Sequence, residues 1–193
     1  MTVSIIIPVY NVAPYIEACL KSVMRQTYRG QMECIIVDDC GTDDSIAIAE
    51  RMTATYQGAI QFRMLHHEQN RGLSAARNTG TKEATGDYIY YLDSDDEITE
   101  DCIEKLIAVA LSDLGIEMVQ GNGQTDGRWL MDEGRDHTER DSYTKAFPKW
   151  HVTSNDEVRA WYSQKQLIPV NAWNKLIKRP FLTDHHILFK EGS

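Results

Sequence analysis

Val3-Ser4-Ile5-Ile6-Ile7-Pro8-Val9 is an apolar run of strand length, rich in β-branched residues and broken only by Ser4. A strand with one face in water alternates apolar and polar residues. A continuous run instead predicts a strand covered on both faces, as in a parallel sheet with helices on either side. Pro14 follows closely and predicts a helix start, where its missing N–H costs nothing. Ile16, Cys19, Leu20, Val23 and Met24 then recur at helical spacing, and Glu33 to Val37 is again strand-like. Strand, helix, strand is the parallel unit, joined by a right-handed crossover.

The alternation continues outward. Asp43, Asp44 and Ser45 put acid in the first turn of a second helix, where the helix dipole favours it, and Ile46, Ile48, Ala49 and Met52 supply its apolar residues. Ile60 to His66 alternates as a third strand. Ser74 to Ala84 reads as a third helix stopped at Gly86, and Asp87 to Leu92 as a fourth strand. Thr99 is expected to cap a fourth helix running to Leu114 before Gly115, with a fifth strand over Ile116 to Val119. From Gly121 to His151 the chain turns polar and loses periodicity, which predicts a loop or excursion. Ser154-Asn155-Asp156-Glu157 has the capping-box spacing, Ile168 to Ile177 is strand-like, and Pro180 opens a short last helix. The expected fold is α/β, a three-layer sandwich around a central, mostly parallel sheet. Residues 1–115 form its core and 116–193 a less regular C-terminal region.

A chain of 193 residues buries a core without disulfides or structural metals. Its formal charge is −9, and an acidic surface argues against nucleic acid as a partner. No apolar run approaches the roughly 18 residues of a membrane span, and no basic segment precedes a long apolar core as in a signal peptide. Cys19, Cys34, Cys40 and Cys102 lack CxxC spacing, so buried free thiols in a reducing cytosol are expected.

Ligands of open α/β sheets sit beyond the carboxyl ends of the strands. That rule singles out Pro8-Val9-Tyr10-Asn11, Asp38-Asp39 and Asp93-Ser94-Asp95-Asp96. No glycine lies between Met1 and Gly30, so the glycine-rich phosphate loops of dinucleotide and P-loop folds are absent. A diphosphate would need another counter-charge. Asp93, Asp95 and Asp96 crowd three carboxylates into four residues, an arrangement that calls for a hard cation such as Mg²⁺ or Mn²⁺. A solvated acidic loop is the plain alternative. Asp38-Asp39 can accept hydrogen bonds from a base or ribose, or can form a turn. Tyr10 can stack on a base or pack at the strand end. Arg71 and Arg77, in the stretch Asn70 to Gly80, can reach a base or phosphates or lie on the surface, and Ala75, Ala76 and Gly80 allow close packing on the sheet.

Ser4 to Asn11, Ile36 to Asp39, Asn70 to Gly80 and Leu92 to Asp96 together resemble the family-2 glycosyltransferases of the GT-A fold. Trp173 to Ile177 and Phe189-Lys190-Glu191-Gly192 resemble the later acceptor-side region of bacterial polysaccharide-building members. The resemblance implies a nucleotide-sugar donor, usually a UDP-sugar, with a Mn²⁺ or Mg²⁺ cofactor. Pro8, Val9, Tyr10 and Asp39 would meet base and ribose, with Asp38 close by. Arg71 and Arg77 would support the nucleotide. Asp93, Ser94 and Asp95 would be the D-x-D element, with Asp93 and Asp95 serving the metal-bridged diphosphate. Residues 1–115 would be the nucleotide-sugar core and 116–193 the acceptor-side region, with Trp173 and Lys175 as candidate acceptor contacts. The sugar would pass with inversion to a glycan or lipid-linked acceptor.

In similar proteins an acidic pair soon after Phe-x-Glu-Gly supplies the general base. This sequence ends at Ser193, before that point, so the expectation is a base beyond Ser193 in a longer protein. Glu191 and Asp184, the last carboxylates, are the candidates for the base within these residues. His66-His67 and His185-His186 are adjacent pairs that point apart, so neither is a natural chelate, although His185 alone could ligate a metal. Trp161 and Trp173 can stack on sugars or pack in a core. Residues 144 to 182 carry Lys145, Lys149, Arg159, Lys165, Lys175, Lys178 and Arg179 against Asp156 and Glu157, suiting a solvated face or an anionic, lipid-linked acceptor. The expected location is the cytoplasm, with peripheral contact at the inner face of its membrane. Three rivals remain: a sugar nucleotidylyltransferase, whose glycine-rich basic loop after strand one is missing; an aspartyl phosphatase, whose D-x-D would follow the first strand; and a domain that binds nucleotide sugar without turnover.

Overall fold

The computed structural model describes residues 1–121 and 172–192. The expected excursion over 121–151, the capping box at 154–157, Trp161, Lys145, Lys149, Arg159, Lys165 and the start of the strand expected from Ile168 therefore lie outside the described residues, Gly121 excepted. Met1–Gln120 and Trp173–Ser193 make one compact unit. Its elements run β1 (Thr2–Val9), α1 (Ile16–Met24), β2 (Gln31–Asp38), α2 (Ser45–Thr55), β3 (Gln61–His66), α3 (Leu73–Glu83), β4 (Tyr88–Tyr91), α4 (Cys102–Ala110), β5 (Met118–Gln120), β6 (Lys175–Lys178) and α5 (Arg179–Asp184).

The sheet has the order β3-β2-β1-β4-β6-β5. β1 to β4 are parallel, while β6 runs antiparallel to both β4 and β5. The run Val3 to Val9 lies at the centre and is buried throughout. Val3, Ile5, Ile7 and Val9 join a core with Ile16, Leu20 and Val23 of α1, Ala49 of α2 and Ile103 and Leu106 of α4. Each such side chain contributes about 1.5–3 kcal/mol on full burial. Ile6 points the other way, to α3. A Cβ on Gly80 would come within 2.4 Å of Ile6 Cγ2, so Gly80 lets α3 lie directly on β1. Ala75 and Ala76 are buried in the same helix.

Some boundaries differ from the sequence reading. Pro14 lies in a turn closed by the Tyr15 N–H on Val12 O, and α1 begins two residues later. α4 spans nine residues, Cys102–Ala110, and so starts later and ends earlier than the helix expected from Thr99 to Leu114. Thr99 donates to the Asp101 side chain instead of capping the helix, and Asp101 holds the cap position. Of the strand expected up to Ile177, the described part begins at Lys175, after a turn in which Asn174 has a φ of 61°. Cys19 and Cys34 are buried as expected, but Cys40 is exposed. No described helix is long and apolar enough to cross a membrane.

The amino end of the sheet is pinned by one buried carboxylate. Glu33 Oε1 accepts from Ser4 Oγ at 2.6 Å, Thr85 N at 2.7 Å and Thr85 Oγ1 at 2.9 Å, and Arg63 approaches Oε2 at 3.4 Å. Burial pushes its pKa up, but the hydrogen bonds from Ser4 and Thr85, with Arg63, hold it below the usual value. The unfolded chain therefore binds this proton more readily than the folded one. Its stabilisation is full above the ordinary glutamate pKa and is lost as pH falls through the folded value. Urea midpoints from pH 7 to pH 3 are expected to fall less steeply for Glu33→Gln than for the parent chain; parallel curves would contradict this.

Candidate functional site

The strand order reverses at β1. The chain winds outward through β2 to β3, then returns to place β4 on the other side of β1, and a crevice opens at such a switch point. Pro8 sets where it opens. Pairing between β1 and β4 ends at Ile6 and Tyr91, and the Leu92 N–H donates to Ile6 O at 3.0 Å. Residues of a parallel strand bond alternately to either side, so Pro8 is the next to address β4, and it has no N–H to give. β1 continues beside β2 to Val9 and Asp38, while a cleft of ≈ 320 Å³ begins on the β4 side.

Pro8, Val9, Tyr10, Asp39, Asp93, Ser94 and Asp95 all line this cleft. Gly72, Leu73 and Ala76, from the start of α3, form its opposite wall. Tyr10 is 46% exposed and Leu73 49%, so two large apolar side chains stand open at one cavity. The first turn of α3 carries no acid of its own, and the Asp39 carboxylate meets the positive end of the helix dipole through the Gly72 N–H.

Asp39 is 2% exposed and builds that wall. Oδ1 accepts the Arg71 N–H at 2.9 Å and Oδ2 the Gly72 N–H at 2.7 Å. His67 Nδ1 lies 2.6 Å from Oδ1, and His67 Nε2 is 2.8 Å from Thr79 Oγ1. The parallel register sets Asp38 beside His66, so each aspartate of the pair takes one histidine of the other pair. Asp38 Oδ1 also accepts the Cys40 N–H at 3.0 Å. Asp38 is thus a turn residue, next to the cleft but not lining it. His66 and His67 thus turn to different partners, and His185 packs edge-on against Phe181.

Asp93 to Asp96 form a turn closed by the Asp96 N–H on Asp93 O at 3.0 Å. Ser94 is buried within it. Arg77, 8% exposed, donates from Nη2 to Asp93 Oδ1 at 2.5 Å. Arg77 therefore acts on the site through Asp93 and does not line the cleft. Arg71 does not line it either, and its guanidinium reaches Glu191 Oε2 at 3.1 Å. Asp95 is exposed and bonds to no described residue. Asp96, Asp95, Glu97 and Asp93 add to burial in driving the Cys19 thiol far above its usual pKa, a measure of the negative field here. No group of three or more histidine, cysteine or acidic side chains converges among the described residues. One open carboxylate on a cleft suits a hard cation that takes its other ligands from phosphate and water, so the described residues fit a substrate-borne Mg²⁺ or Mn²⁺.

The acceptor-side candidates Trp173 and Lys175 do not line the cleft. Lys175 opens β6, one residue beyond the Tyr90 to Leu176 pair, and burial lowers its pKa to about 8. Trp173 is half-buried in the preceding turn. Arg179 donates to Gly86 O at 2.7 Å and Lys178 to Leu114 O at 3.5 Å, so the described part of the basic stretch offers no free cationic face. Glu191 is held by Asn78 and Arg71, and these hydrogen bonds, Asn78's the largest effect, keep its pKa below the ordinary value. The candidate residues named from sequence did not include Val12, Asn70, Gly72, Leu73 and Ala76, which also line the cleft. The signal for all but Val12 was the Asn70 to Gly80 stretch itself, which was read for its arginines.

The model of the family described as Glycosyl transferase family 2 matches residues 4–169. The glycosyltransferase GlyA of Streptococcus pneumoniae serotype 4 is 33% identical over 181 residues, covering 91% of this chain and 24% of its own length. Among solved structures, S. aureus TarS 1–349 in complex with UDP-GlcNAc superposes with a TM-score of 0.75 at 26% identity, covering 99% of this chain and 49% of that one. The mannosyltransferase PcManGT from Pyrobaculum calidifontis, in complex with GDP-Man and Mn²⁺, shares the fold with a TM-score of 0.67 at 20% identity, covering 97% and 47%. The chain thus spans about half the length of these structures and a quarter of GlyA.

Proposed function

The chain belongs to glycosyl transferase family 2, and from that membership and the cleft we propose that it binds a UDP-sugar and transfers the sugar, with inversion, to a hydroxyl of a glycan or lipid-linked acceptor. The observation that carries the reading is the unequal pair in the D-x-D turn. Asp93 is neutralised by Arg77, whereas Asp95 stands open beside it on the cleft. A hard cation bridging to a diphosphate needs such a carboxylate. TarS with UDP-GlcNAc and PcManGT with GDP-Man and Mn²⁺ support a nucleotide-sugar donor and a metal partner.

The residues divide the work. Tyr10 offers its open ring to the base, with Leu73 across the cleft. Asp39 holds the wall behind the base. Asp93 keeps Oδ2 for ribose or the cation, and Asp95 would ligate Mn²⁺ or Mg²⁺. The bound cation supplies Lewis-acid stabilisation of the departing nucleoside diphosphate. The acceptor oxygen bonds to the anomeric carbon as the diphosphate oxygen leaves, and the hydroxyl proton passes to a general base. Glu191 is poorly suited to that task, since both oxygens are engaged and its pKa is lowered. The base in this reading is a carboxylate outside the described residues. Residues 1–115 hold the donor and 116–193 the acceptor, with Trp173 and Lys175 nearest its path.

The engagement of Glu191 also favours a second reading, a domain that binds the donor without turning it over. Calorimetric titration of UDP, with and without Mn²⁺, tests the first part of the proposal. Binding that requires the cation is expected, and metal-independent or absent binding would sink it. Release of UDP from UDP-GlcNAc in the presence of the chain separates a transferase from a binder.

A further inference from the structure

We propose that Asn78, Phe189 and Glu191 are positioning residues that hold the Arg77–Asp93 pair in place from the acceptor-side segment, without touching the donor. The inference rests on the donor-site reading above and deepens it. Residues 187–192 form no helix or strand and are largely exposed, Leu188 to 71%. Such a segment needs a specific fastening, and Asn78 of α3 provides one. Its Oδ1 accepts the Phe189 N–H at 2.9 Å, and its Nδ2 donates to Phe189 O at 2.9 Å. A single carboxamide thus supplies both bonds that a neighbouring strand would give. The same Nδ2 lies 2.9 Å from Glu191 Oε1, and Glu191 Oε2 takes Arg71.

The fastening determines where one ring lies. Phe189 is the half-buried residue of this segment. It meets Tyr91 edge-on at 5.1 Å between centroids, and the Arg77 guanidinium lies over its ring, 5.4 Å from the centroid. Tyr91 is fixed in turn by a 2.7 Å bond to Thr81.

Arg77 needs this support. It is nearly buried, yet its Nε has no hydrogen-bond partner among the described residues. Its guanidinium is therefore aimed by the Phe189 ring on one side and by Asp93 on the other, not by a full set of bonds. Without the ring it gains room to turn away. Asp93 then loses its counter-charge beside Asp95 and Asp96, and the three carboxylates repel one another. The site that should receive a cation and a diphosphate loses its shape. The cause lies 96 residues away along the chain, at a side chain that does not line the cleft.

The test is calorimetry of UDP with Mn²⁺ on the parent chain and on Asn78→Ala, Phe189→Ala, Phe189→Leu and Phe189→Tyr, well below each melting temperature. Loss of a cation–π contact of this kind predicts affinity weakened by about threefold to tenfold for Phe189→Ala, Phe189→Leu and Asn78→Ala. Phe189→Tyr, which keeps the ring face, is expected to bind within about twofold of the parent. If Phe189→Ala fails to fold, the leucine and tyrosine variants carry the comparison. Folded variants with lowered melting temperatures but parental affinity would show packing alone and overturn the proposal. Absence of cation-dependent UDP binding in the parent chain would instead overturn the donor-site reading, and this inference with it.

Discussion

Asp95→Ala is expected to weaken Mn²⁺-dependent UDP binding by about 100-fold or more, while leaving the stability of the fold within about 0.5 kcal/mol. Both halves follow from one observation. Asp95 is exposed on the cleft and bonds to no described residue, so the fold loses nothing with its carboxylate. A cation bridging protein and diphosphate would lose its protein anchor, and about 2.7 kcal/mol corresponds to a factor of 100. Asp95→Asn should fall nearly as far, because a neutral amide is a poor ligand for a hard cation. Titration of UDP with and without Mn²⁺, beside a urea curve, reads both quantities. A variant that binds normally, or one that unfolds, contradicts the assignment.

Asp39→Ala is expected to behave in the opposite way, costing about 3–5 kcal/mol of stability and taking nucleotide binding down with it. Asp39 is buried and accepts the N–H groups of Arg71 and Gly72 while engaging His67. Alanine leaves two backbone donors and a histidine without the acceptor that is 2% exposed in the cleft wall. Gly72 sits at the start of α3 with a φ of 86°, so the lost bonds release the connection that forms one wall of the cleft. Asp39→Asn keeps one acceptor oxygen but turns an N–H₂ toward a donor, and should lose about half as much. Urea unfolding measures the cost, and an unchanged midpoint would show that Asp39 is not a structural bracket. Asp95 and Asp39 thus separate the two ways an aspartate serves a site, by staying open and by being fully used.

Much of the fold was legible because its cause is local. The run at Val3 to Val9, broken only by Ser4, announced a strand buried on both faces, and the alternation after it announced parallel pairing. The crowding of carboxylates at Asp93 to Asp96 was legible too, since three acids in four residues stand out by type alone. Other features depend on contacts between distant parts of the chain. β6 enters between β4 and β5 although more than fifty residues separate it from β5, and no period in the sequence carries that order. Asp39 shows the same limit. Its position after β2 was visible, but its engagement by residues 67–72 comes from the strand register and the loop beyond it. Phe189 and Asn78 are 111 residues apart, and neither stands out by type.

Asp95 is expected to present a cation to a nucleoside diphosphate in the cleft between β1 and β4. Crystals of the chain soaked with UDP and Mn²⁺, measured for anomalous scattering, test it most directly. The account predicts one Mn²⁺ peak about 2.1 Å from an Asp95 oxygen, shared with both phosphates of UDP, with the uracil beside Tyr10. UDP seated in the cleft with no cation at Asp95, or Mn²⁺ bound elsewhere, would contradict it.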